Sequence, residues 1–158
     1  MSGAGSSELR ADGTGLNVVI VAASWHQVIM DGLIAGAQSE CDRAGARHRL
    51  VRVPGCFELP VVAQEVAGDP QVDAVICLGV IIRGGTPHFD FVAKAATDGL
   101  TRVALDARTP VGFGMLTTDN EQQALDRAGL ADSPEDKGTE AAAAALVTAR
   151  LLKDARGA

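Results

Sequence analysis

The chain has 158 residues, 47% of them hydrophobic, which predicts one domain with a sizeable core. Its formal net charge of −6 and the lack of a basic stripe argue against a nucleic-acid partner. There is no run of about twenty apolar residues and no basic segment followed by an apolar one at the N-terminus, so we expect neither a membrane span nor a signal peptide.

Residues 1–15 are rich in glycine and serine and have no apolar period, which predicts a flexible tail before a single domain over residues 16–158. The domain opens with the apolar run LNVVIVAA, residues 16–23, which is typical of a strand buried on both faces. Apolar residues at helical spacing then predict a helix from about residue 25 to residue 44, with Ser24 as a candidate cap.

The segment RHRLVRV, residues 47–53, alternates polar and apolar side chains and is predicted to be a half-exposed edge strand. A Pro-Gly turn follows at residues 54–55, and residues 57–67 are predicted to form a short helix. The most apolar segment, residues 74–82, is too short to span a membrane and is bounded by turn signals, so it is predicted to be a central strand.

The loop after this strand, Arg83-Gly84-Gly85-Thr86-Pro87, has the features of an anion site. Two glycines allow a sharp turn and a close approach of the backbone to a ligand. Thr86 can cap the next helix, Pro87 fits its first position, and His88 follows in a helix predicted to reach about residue 106. A helix start offers free N–H groups and a positive dipole end, so phosphate is the natural ligand. A plain glycine turn with a surface histidine is the alternative.

The last third of the chain contains one more strand and two helices. Residues 110–116 are predicted to form the strand, and Thr118 with Glu121 to form a capping box for a helix that ends at Gly129. The final helix is predicted over residues 133–155, where an alanine run favours helix formation and close packing.

The three cysteines, Cys41, Cys56 and Cys77, lie far apart in the sequence. They have no metal-ligand spacing and are typical of reduced core residues. We therefore expect a cytoplasmic protein without a cysteine-ligated metal.

Strands that alternate with helices predict a parallel sheet with helices on both faces. The polar second strand belongs at an edge and the two most apolar strands in the centre. This gives strand order 2-1-3-4 and a flavodoxin-like three-layer α/β sandwich, in which the ligand crevice opens at the carboxyl ends of the central strands. Three candidate features follow strands at those ends: Trp25, the segment Cys56–Glu58 and the glycine loop.

Each candidate side chain also has a purely structural interpretation. Trp25 is either a core residue or, at the mouth of a crevice, a plate for a flat ring. Glu58 either complements a helix dipole or binds a ligand, and Arg127 fits the dipole of its own helix. Lys137 is typical of a solvated helix start unless a phosphate lies near it. His88 could transfer protons as a neutral imidazole.

Several motifs occur together in this chain. They are VPGCFELP at residues 53–60, LGVIIRGGTPHFDFV at 78–92, GMLTTD at 114–119, Gln123-Ala124 with Arg127-Ala128-Gly129, and Asp136-Lys137-Gly138. In this order they resemble the 6,7-dimethyl-8-ribityllumazine synthase family. Any one motif alone is weak, but the set is highly specific and covers nearly the whole chain from Leu16 onward.

The resemblance implies a transferase of riboflavin biosynthesis. Members of this family condense 5-amino-6-(D-ribitylamino)uracil with 3,4-dihydroxy-2-butanone 4-phosphate to give 6,7-dimethyl-8-ribityllumazine, phosphate and water, the penultimate step of the pathway. No organic cofactor and no metal are implied, and the active site is expected between neighbouring subunits of a homopentamer. Two alternatives stay open: a riboflavin synthase of the same fold, which would dismutate the lumazine, and a non-catalytic carrier of flavin or lumazine.

The resemblance also implies roles for individual residues. Trp25 matches the aromatic residue that stacks on the pyrimidine, and His88 matches the catalytic proton-transfer residue. The other residues that match the ribitylaminouracil site are Cys56, Phe57, Glu58, Val80, Ile81, Ile82 and Phe113. The residues that match the phosphate site for the butanone phosphate are Gly85, Thr86, Arg127 and Lys137, and the neighbouring subunit is expected to supply Phe113, Arg127 and Lys137.

A few positions depart from the family's pattern. Cys56 stands where alanine or serine is usual, Gly85 replaces a commonly polar residue, and Gly112 replaces a bulkier one. The segment 130–135 contains Pro134 and is longer than the short glycine-containing turn of members that form sixty-subunit shells. We therefore expect a free pentamer.

Overall fold

The structure, a computed structural model, describes residues 9–157, and these form a four-stranded parallel sheet with helices on both faces. The strands are β1 (Asn17–Ala23), β2 (Arg47–Val53), β3 (Ala74–Ile82) and β4 (Val111–Thr118). The helices are α1 (Gln27–Ala44), α2 (Leu59–Ala67), α3 (His88–Ala107), α4 (Glu121–Leu125) and α5 (Lys137–Gly157), and a 3-10 turn at Cys56–Glu58 precedes α2. The strand order is β2-β1-β3-β4, so the predicted flavodoxin-like winding is confirmed.

The position of each strand in the sheet follows from which strands are apolar on both faces. Ile20 of β1 pairs with Leu50 of β2 and with Ile76 of β3, and Cys77 of β3 pairs with Phe113 of β4. β1 and β3 are buried along most of their length, whereas β2 is largely exposed, as its alternating arginines predict. Strands covered by helices on both sides occupy the centre of a parallel sheet.

Two apolar clusters lie on opposite faces of the sheet. Side chains of α1 and α5 meet one face around Ile20 and Ile76. Side chains of α2 and α3 meet the other face around Val21 and Cys77. Burial of one aliphatic side chain of this size contributes about 1.5–3 kcal/mol, so these clusters provide most of the stabilisation of the fold.

Main-chain contacts set the distance between α5 and β4. A β-carbon on Gly112 would lie 2.5 Å from the carbonyl oxygen of Ala141, and one on Gly114 would lie 3.2 Å from the β-carbon of Ala141. The start of α5 therefore packs directly on the backbone of β4. The alanine run permits this close approach, because neither element has a bulky side chain at the contact.

Two predicted helix caps are wrong. The hydroxyl of Ser24 does not cap α1 but donates to the carbonyl oxygen of Val53 at 2.8 Å, and His26 takes the position before the helix with a left-handed φ of 57°. Thr86 does not cap α3, because Pro87 occupies the N-cap position and no side chain caps this helix.

The fourth helix is shorter than predicted. Thr118 is the last residue of β4, and Asn120 caps α4 by accepting a hydrogen bond from the N–H of Gln123 at 3.0 Å. The predicted capping box is therefore wrong, and the helix ends before the predicted Gly129. Residues 126–136 form a loop that connects α4 to α5.

Residues 1–8 of the predicted tail lie outside the described residues, and the domain boundary at residue 15 stays a prediction. Ala11 is buried against the core, and the N–H of Gly13 donates to the carbonyl oxygen of the last residue of α1 at 2.8 Å. Arg150 of α5 donates to the carbonyl oxygen of Thr14 at 2.6 Å. The described part of the N-terminal segment thus contacts both α1 and α5.

Candidate functional site

The loops after β1, β2 and β3 meet at the carboxyl ends of these strands, and we call the surface formed by Trp25, Glu58 and residues 84–88 the carboxyl-edge surface. Trp25 is 69% exposed, and Glu58 is half-buried. A β-carbon built on Gly55 would lie 3.3 Å from Oε2 of Glu58 and 3.6 Å from Nε1 of Trp25. The indole and the carboxylate therefore border the same surface, where an aromatic plate and a hydrogen-bond acceptor can act on one ligand.

The local backbone keeps Trp25 at the surface. Arg52 of β2 donates to the carbonyl oxygen of Ala23 at 3.0 Å, which ties the ends of β1 and β2 together. His26 then turns the chain into α1 with a left-handed backbone. Histidine is among the few residues other than glycine that are enriched in this conformation.

Cys56 lies beneath the carboxyl-edge surface rather than on it. Its buried thiol donates to the carbonyl oxygen of Val80 at 3.7 Å. Burial raises the pKa of Cys56 to about 12. The thiol therefore stays protonated near neutral pH and is not a nucleophile. Of the neighbouring predicted residues, Phe57 is 64% exposed and Ile81 and Ile82 are half-buried.

The loop after β3 is open. A β-carbon on Gly84 or Gly85 would have no other atom within 4 Å. Thr86 and His88 are exposed, and no side chain caps the first turn of α3. Uncapped N–H groups and the positive end of the helix dipole favour an anion at this position.

Arg83 holds the two ends of this loop in place. Its Nε donates to Asp119 at 3.0 Å, just after β4, and its guanidinium lies 3.3 Å from a carboxylate oxygen of Asp90 in α3. The same guanidinium lies 4.2 Å from the centroid of the Phe89 ring, a cation–π contact. Arg83 therefore links β3, β4 and α3 around the glycine loop.

A groove of about 1040 Å³ runs along the outer edge of the sheet, and we call it the β4 groove. Its lining includes residues 110–118, Arg127, Lys137 and one face of α5 between Thr139 and Thr148. Phe113 is 49% exposed on β4 and lines the same groove. The structure thus brings together the three residues that the resemblance assigns to a neighbouring subunit.

The cations of the β4 groove are held by carboxylates. Nζ of Lys137 lies 2.6 Å from Oε2 of Glu135 and 2.7 Å from Oε2 of Glu140. Arg127 donates to the carbonyl oxygen of Gln123 at 2.8 Å, and its Nη2 lies 3.9 Å from Oε1 of Glu135. Burial alone would lower the pKa of Lys137, but the hydrogen bonds to Glu135 and Glu140 outweigh it and keep the pKa above its usual value.

The predicted site residues form two groups within one chain. The first group lies at or beneath the carboxyl-edge surface, and the second, which consists of Phe113, Arg127 and Lys137, lies in the β4 groove. No residue of the first group is among the described residues that line the groove. The two groups of predicted residues therefore lie on different borders of the sheet within one chain.

A family model described as 6,7-dimethyl-8-ribityllumazine synthase matches residues 15–153 of the chain. The chain belongs to this lumazine synthase family. It is 62% identical to the 6,7-dimethyl-8-ribityllumazine synthase of Leifsonia xyli subsp. xyli over 99% of this chain and 100% of that protein. It is 60% identical to the protein of that name from Clavibacter sepedonicus over the full length of both, and 54% identical to the one from Streptomyces avermitilis over 97% and 96%. The resemblance found in the sequence is confirmed.

Sequence analysis did not identify Glu135 and Glu140, the carboxylates that contact the cations of the β4 groove. Glu140 contacts Lys137 at a spacing of three residues on one helix, and this spacing is a signal that could have found it. Glu135 gives no such signal, because its contact with Arg127 depends on the path of the loop between them.

Within residues 9–157, no helix is long and apolar enough to cross the hydrocarbon core of a membrane. In the same part of the chain, no three His, Cys, Asp or Glu side chains converge in a way that could hold a metal ion. The cysteines Cys41, Cys56 and Cys77 are free and buried, as the sequence predicts.

Proposed function

We propose that the protein is a 6,7-dimethyl-8-ribityllumazine synthase, which condenses 5-amino-6-(D-ribitylamino)uracil with 3,4-dihydroxy-2-butanone 4-phosphate and releases phosphate and water. This reaction is the penultimate step of riboflavin biosynthesis. The observation that carries the proposal is the carboxyl-edge surface, where an exposed indole, a carboxylate and an uncapped helix start lie together in a member of this family. Such a surface suits a flat ring, a polyol chain and a phosphate group.

The pyrimidine substrate is assigned to the side of Trp25. Its ring stacks on the indole, and the main chain of Val80–Ile82 lines the ring edge. Glu58 accepts hydrogen bonds from hydroxyls of the ribityl chain, which runs along Cys56-Phe57. Phe113 of the neighbouring subunit adds an aromatic contact. The exposure of Trp25 and its closeness to Glu58 around Gly55 support this assignment.

The phosphate group of the second substrate is assigned to the start of α3. Main-chain N–H groups at Gly85 and Thr86 face it, and Arg127 and Lys137 of the neighbouring subunit supply positive charge. A dianion is stabilised by a helix start and by a guanidinium that can bind two oxygens at once. The open glycine loop supports this assignment, since none of residues 9–157 fills the space beside Gly84 and Gly85.

The reaction needs proton transfer and correct placement of two reactants. The amine attacks the ketone and water leaves to give an imine, phosphate is then eliminated, and the ring closes with loss of water. His88 is assigned to move protons, because an imidazole gains and loses a proton near neutral pH. Orientation of bound reactants alone can supply about 7–11 kcal/mol, so His88 is not required to provide most of the acceleration.

The active site is shared between neighbouring subunits of a homopentamer. The separation of the carboxyl-edge surface from the β4 groove within one chain supports this arrangement. Phe57, Val61 and Phe91 are 64%, 68% and 73% exposed, and exposed large apolar side chains favour a protein partner. The long segment 130–135 with Pro134 favours a pentamer over a sixty-subunit shell. Sedimentation should give a particle of about 80 kDa, five times the chain mass of 16.2 kDa, and a megadalton particle would contradict the pentamer.

One assay tests the activity and both rivals. With the two substrates mixed, we expect phosphate release together with lumazine fluorescence. Lumazine supplied alone should give no riboflavin, and riboflavin formation would indicate a riboflavin synthase instead. If neither product forms while riboflavin quenches the fluorescence of Trp25, the protein is a carrier.

Co-expression of two impaired variants tests the shared site. Trp25→Ala damages the carboxyl-edge surface, and Arg127→Ala damages the β4 groove. In mixed assemblies some sites combine an intact surface with an intact groove, so up to about a quarter of the activity should return. Each variant co-expressed with itself is the control. Mixed assemblies without recovered activity would contradict a site between subunits.

The location is assigned to the cytoplasm. Free, buried cysteines such as Cys41 and Cys77 support it, because thiols persist in reducing compartments. Fractionation of cells that express the protein, followed by an immunoblot, tests the assignment.

A further inference from the structure

The charges of the β4 groove offset each other. Lys137 is shared by Glu135 and Glu140, at 2.6 Å and 2.7 Å, and Arg127 lies 3.9 Å from the second carboxylate oxygen of Glu135. Two cations thus face two carboxylates. This is an unusual environment for a dianionic ligand, because each nearby carboxylate repels it.

The loop fixes Glu135 between the two cations. The N–H of Glu135 donates to the carbonyl oxygen of Asp126 at 3.0 Å, and its own carbonyl oxygen accepts from Gly129 at 3.0 Å. The N–H of Lys137 donates to the carbonyl oxygen of Arg127 at 3.0 Å. These main-chain bonds join two antiparallel stretches of chain, so the carboxylate of Glu135 reaches both cations at once.

The next residue anchors the loop on α1. Asp136 accepts a hydrogen bond from the N–H of Thr139 at 2.9 Å and caps the start of α5. A β-carbon on Gly36 would lie 2.8 Å from Oδ2 of Asp136, so the loop packs directly against the helix. The backbone near Glu135 therefore has little room to move, whereas its side chain is 23% exposed and can rotate.

We propose that Glu135 is an internal competitor of the substrate's phosphate group. This inference rests on the proposed function, in which Arg127 and Lys137 bind that phosphate. When the phosphate binds, the carboxylate gives up Arg127, the longer of its contacts, and stays near Lys137. Its charge weakens the binding of inorganic phosphate and so helps this product to leave. Glu135 is a positioning residue, since it touches the cations and not the reacting atoms.

The test measures binding of inorganic phosphate to the assembled full-length protein by titration calorimetry. Glu135→Gln removes one charge and keeps the size, so phosphate should bind about three- to tenfold more tightly than to the wild type. Inhibition of turnover by inorganic phosphate should strengthen by the same factor, while KM for the pyrimidine stays unchanged. Asp132→Asn removes a charge from an exposed position of the same loop and is the matched control.

The direction of the change separates this role from a structural one, because a disturbed loop would bind phosphate more weakly. Glu135→Asp is the second variant: it keeps the charge but shortens its reach to Arg127, so a smaller gain in affinity is expected. Unchanged or weaker phosphate binding in the folded variants would overturn the inference. A wild-type protein that forms no lumazine would instead overturn the proposed function.

Discussion

The carboxyl-edge surface and the β4 groove are built in opposite ways. At the carboxyl-edge surface, Trp25 is exposed, Gly84 and Gly85 face open space among the described residues, and the thiol of Cys56 beneath the surface is neutral. In the β4 groove, Arg127 and Lys137 are already held by carboxylates. The first region offers open faces and free main-chain groups, whereas the second offers charges that are paired. Under the proposed function, shape therefore governs binding at the carboxyl-edge surface, and exchange of one anion for another governs binding in the groove.

The largest effect should come from removing a cation from the groove. Arg127→Ala should lower kcat/KM for the butanone phosphate about 100-fold, because charge-assisted bonds to phosphate are strong. KM for the pyrimidine should change little, and steady-state kinetics with each substrate varied in turn measure both effects. Arg49→Ala, exposed on the opposite edge strand β2, is the control. Equal losses of kcat/KM for the two substrates would contradict the assignment of the two substrates to different regions.

A second substitution tests the support that α1 gives to the groove. Gly36→Ala places a β-carbon against the carboxylate of Asp136, so it should lower the free energy of unfolding by about 1–3 kcal/mol. It should also raise KM for the butanone phosphate more than KM for the pyrimidine. Thermal denaturation and kinetics measure these changes. Ser39→Ala, at an exposed position of α1, is the control, and equal stability of both variants would refute the packing argument.

At the carboxyl-edge surface the expected effect on turnover is smaller. His88→Ala should reduce kcat about tenfold without abolishing it, because placement of the reactants provides most of the acceleration. Single-turnover measurements at saturating substrates give this value. His48→Ala, on β2 and paired with Asp42, should leave kcat unchanged. Complete loss of turnover with both substrates still bound would show that proton transfer dominates.

The smallest expected effect is on the pH dependence of stability and comes from the neutral thiol of Cys56. A cysteine of the unfolded chain ionises near pH 9, whereas burial raises the pKa of Cys56 to about 12. The folded protein therefore keeps a proton that the unfolded chain loses, so stability is complete below pH 9 and falls as the pH rises from 9 towards 12. Cys56→Ala should remove about 1 kcal/mol of this loss at pH 10. Urea denaturation at pH 8 and pH 10 measures this effect. An equal drop in the free energy of unfolding of the wild type and the variant would contradict a buried, protonated thiol.

The strands were predictable because their patterns leave few choices. The alternating segment Arg47–Val53 and the unbroken apolar run Ala74–Ile82 have the bounds that the sequence predicts. The helix caps were not predictable, because several residues that can cap a helix lie side by side and the local backbone decides between them. Ser24, for example, bonds to β2 instead of to its own helix.

The two groups of candidate site residues were predictable to different degrees. Parallel topology alone places Trp25, Glu58 and the glycine loop at one edge, so their meeting followed from the strand order. Spacing alone predicts a dipole partner at Arg127 and a solvated residue at Lys137, and only the family resemblance places the two together. Their meeting depends on main-chain bonds across the loop 126–136, which no periodicity in the sequence indicates.

The glycines of β4 also limit how this protein can be redesigned. Where α5 rests on Gly112 and Gly114, any added side chain would collide with its neighbours, so the floor of the groove cannot be reshaped by substitution. Phe113 and Thr117 alternate with these positions and are exposed on the chain, so the fold itself does not depend on their side chains. A directed-evolution library aimed at differently shaped substrates should therefore vary these two positions and leave Gly112 and Gly114 unchanged.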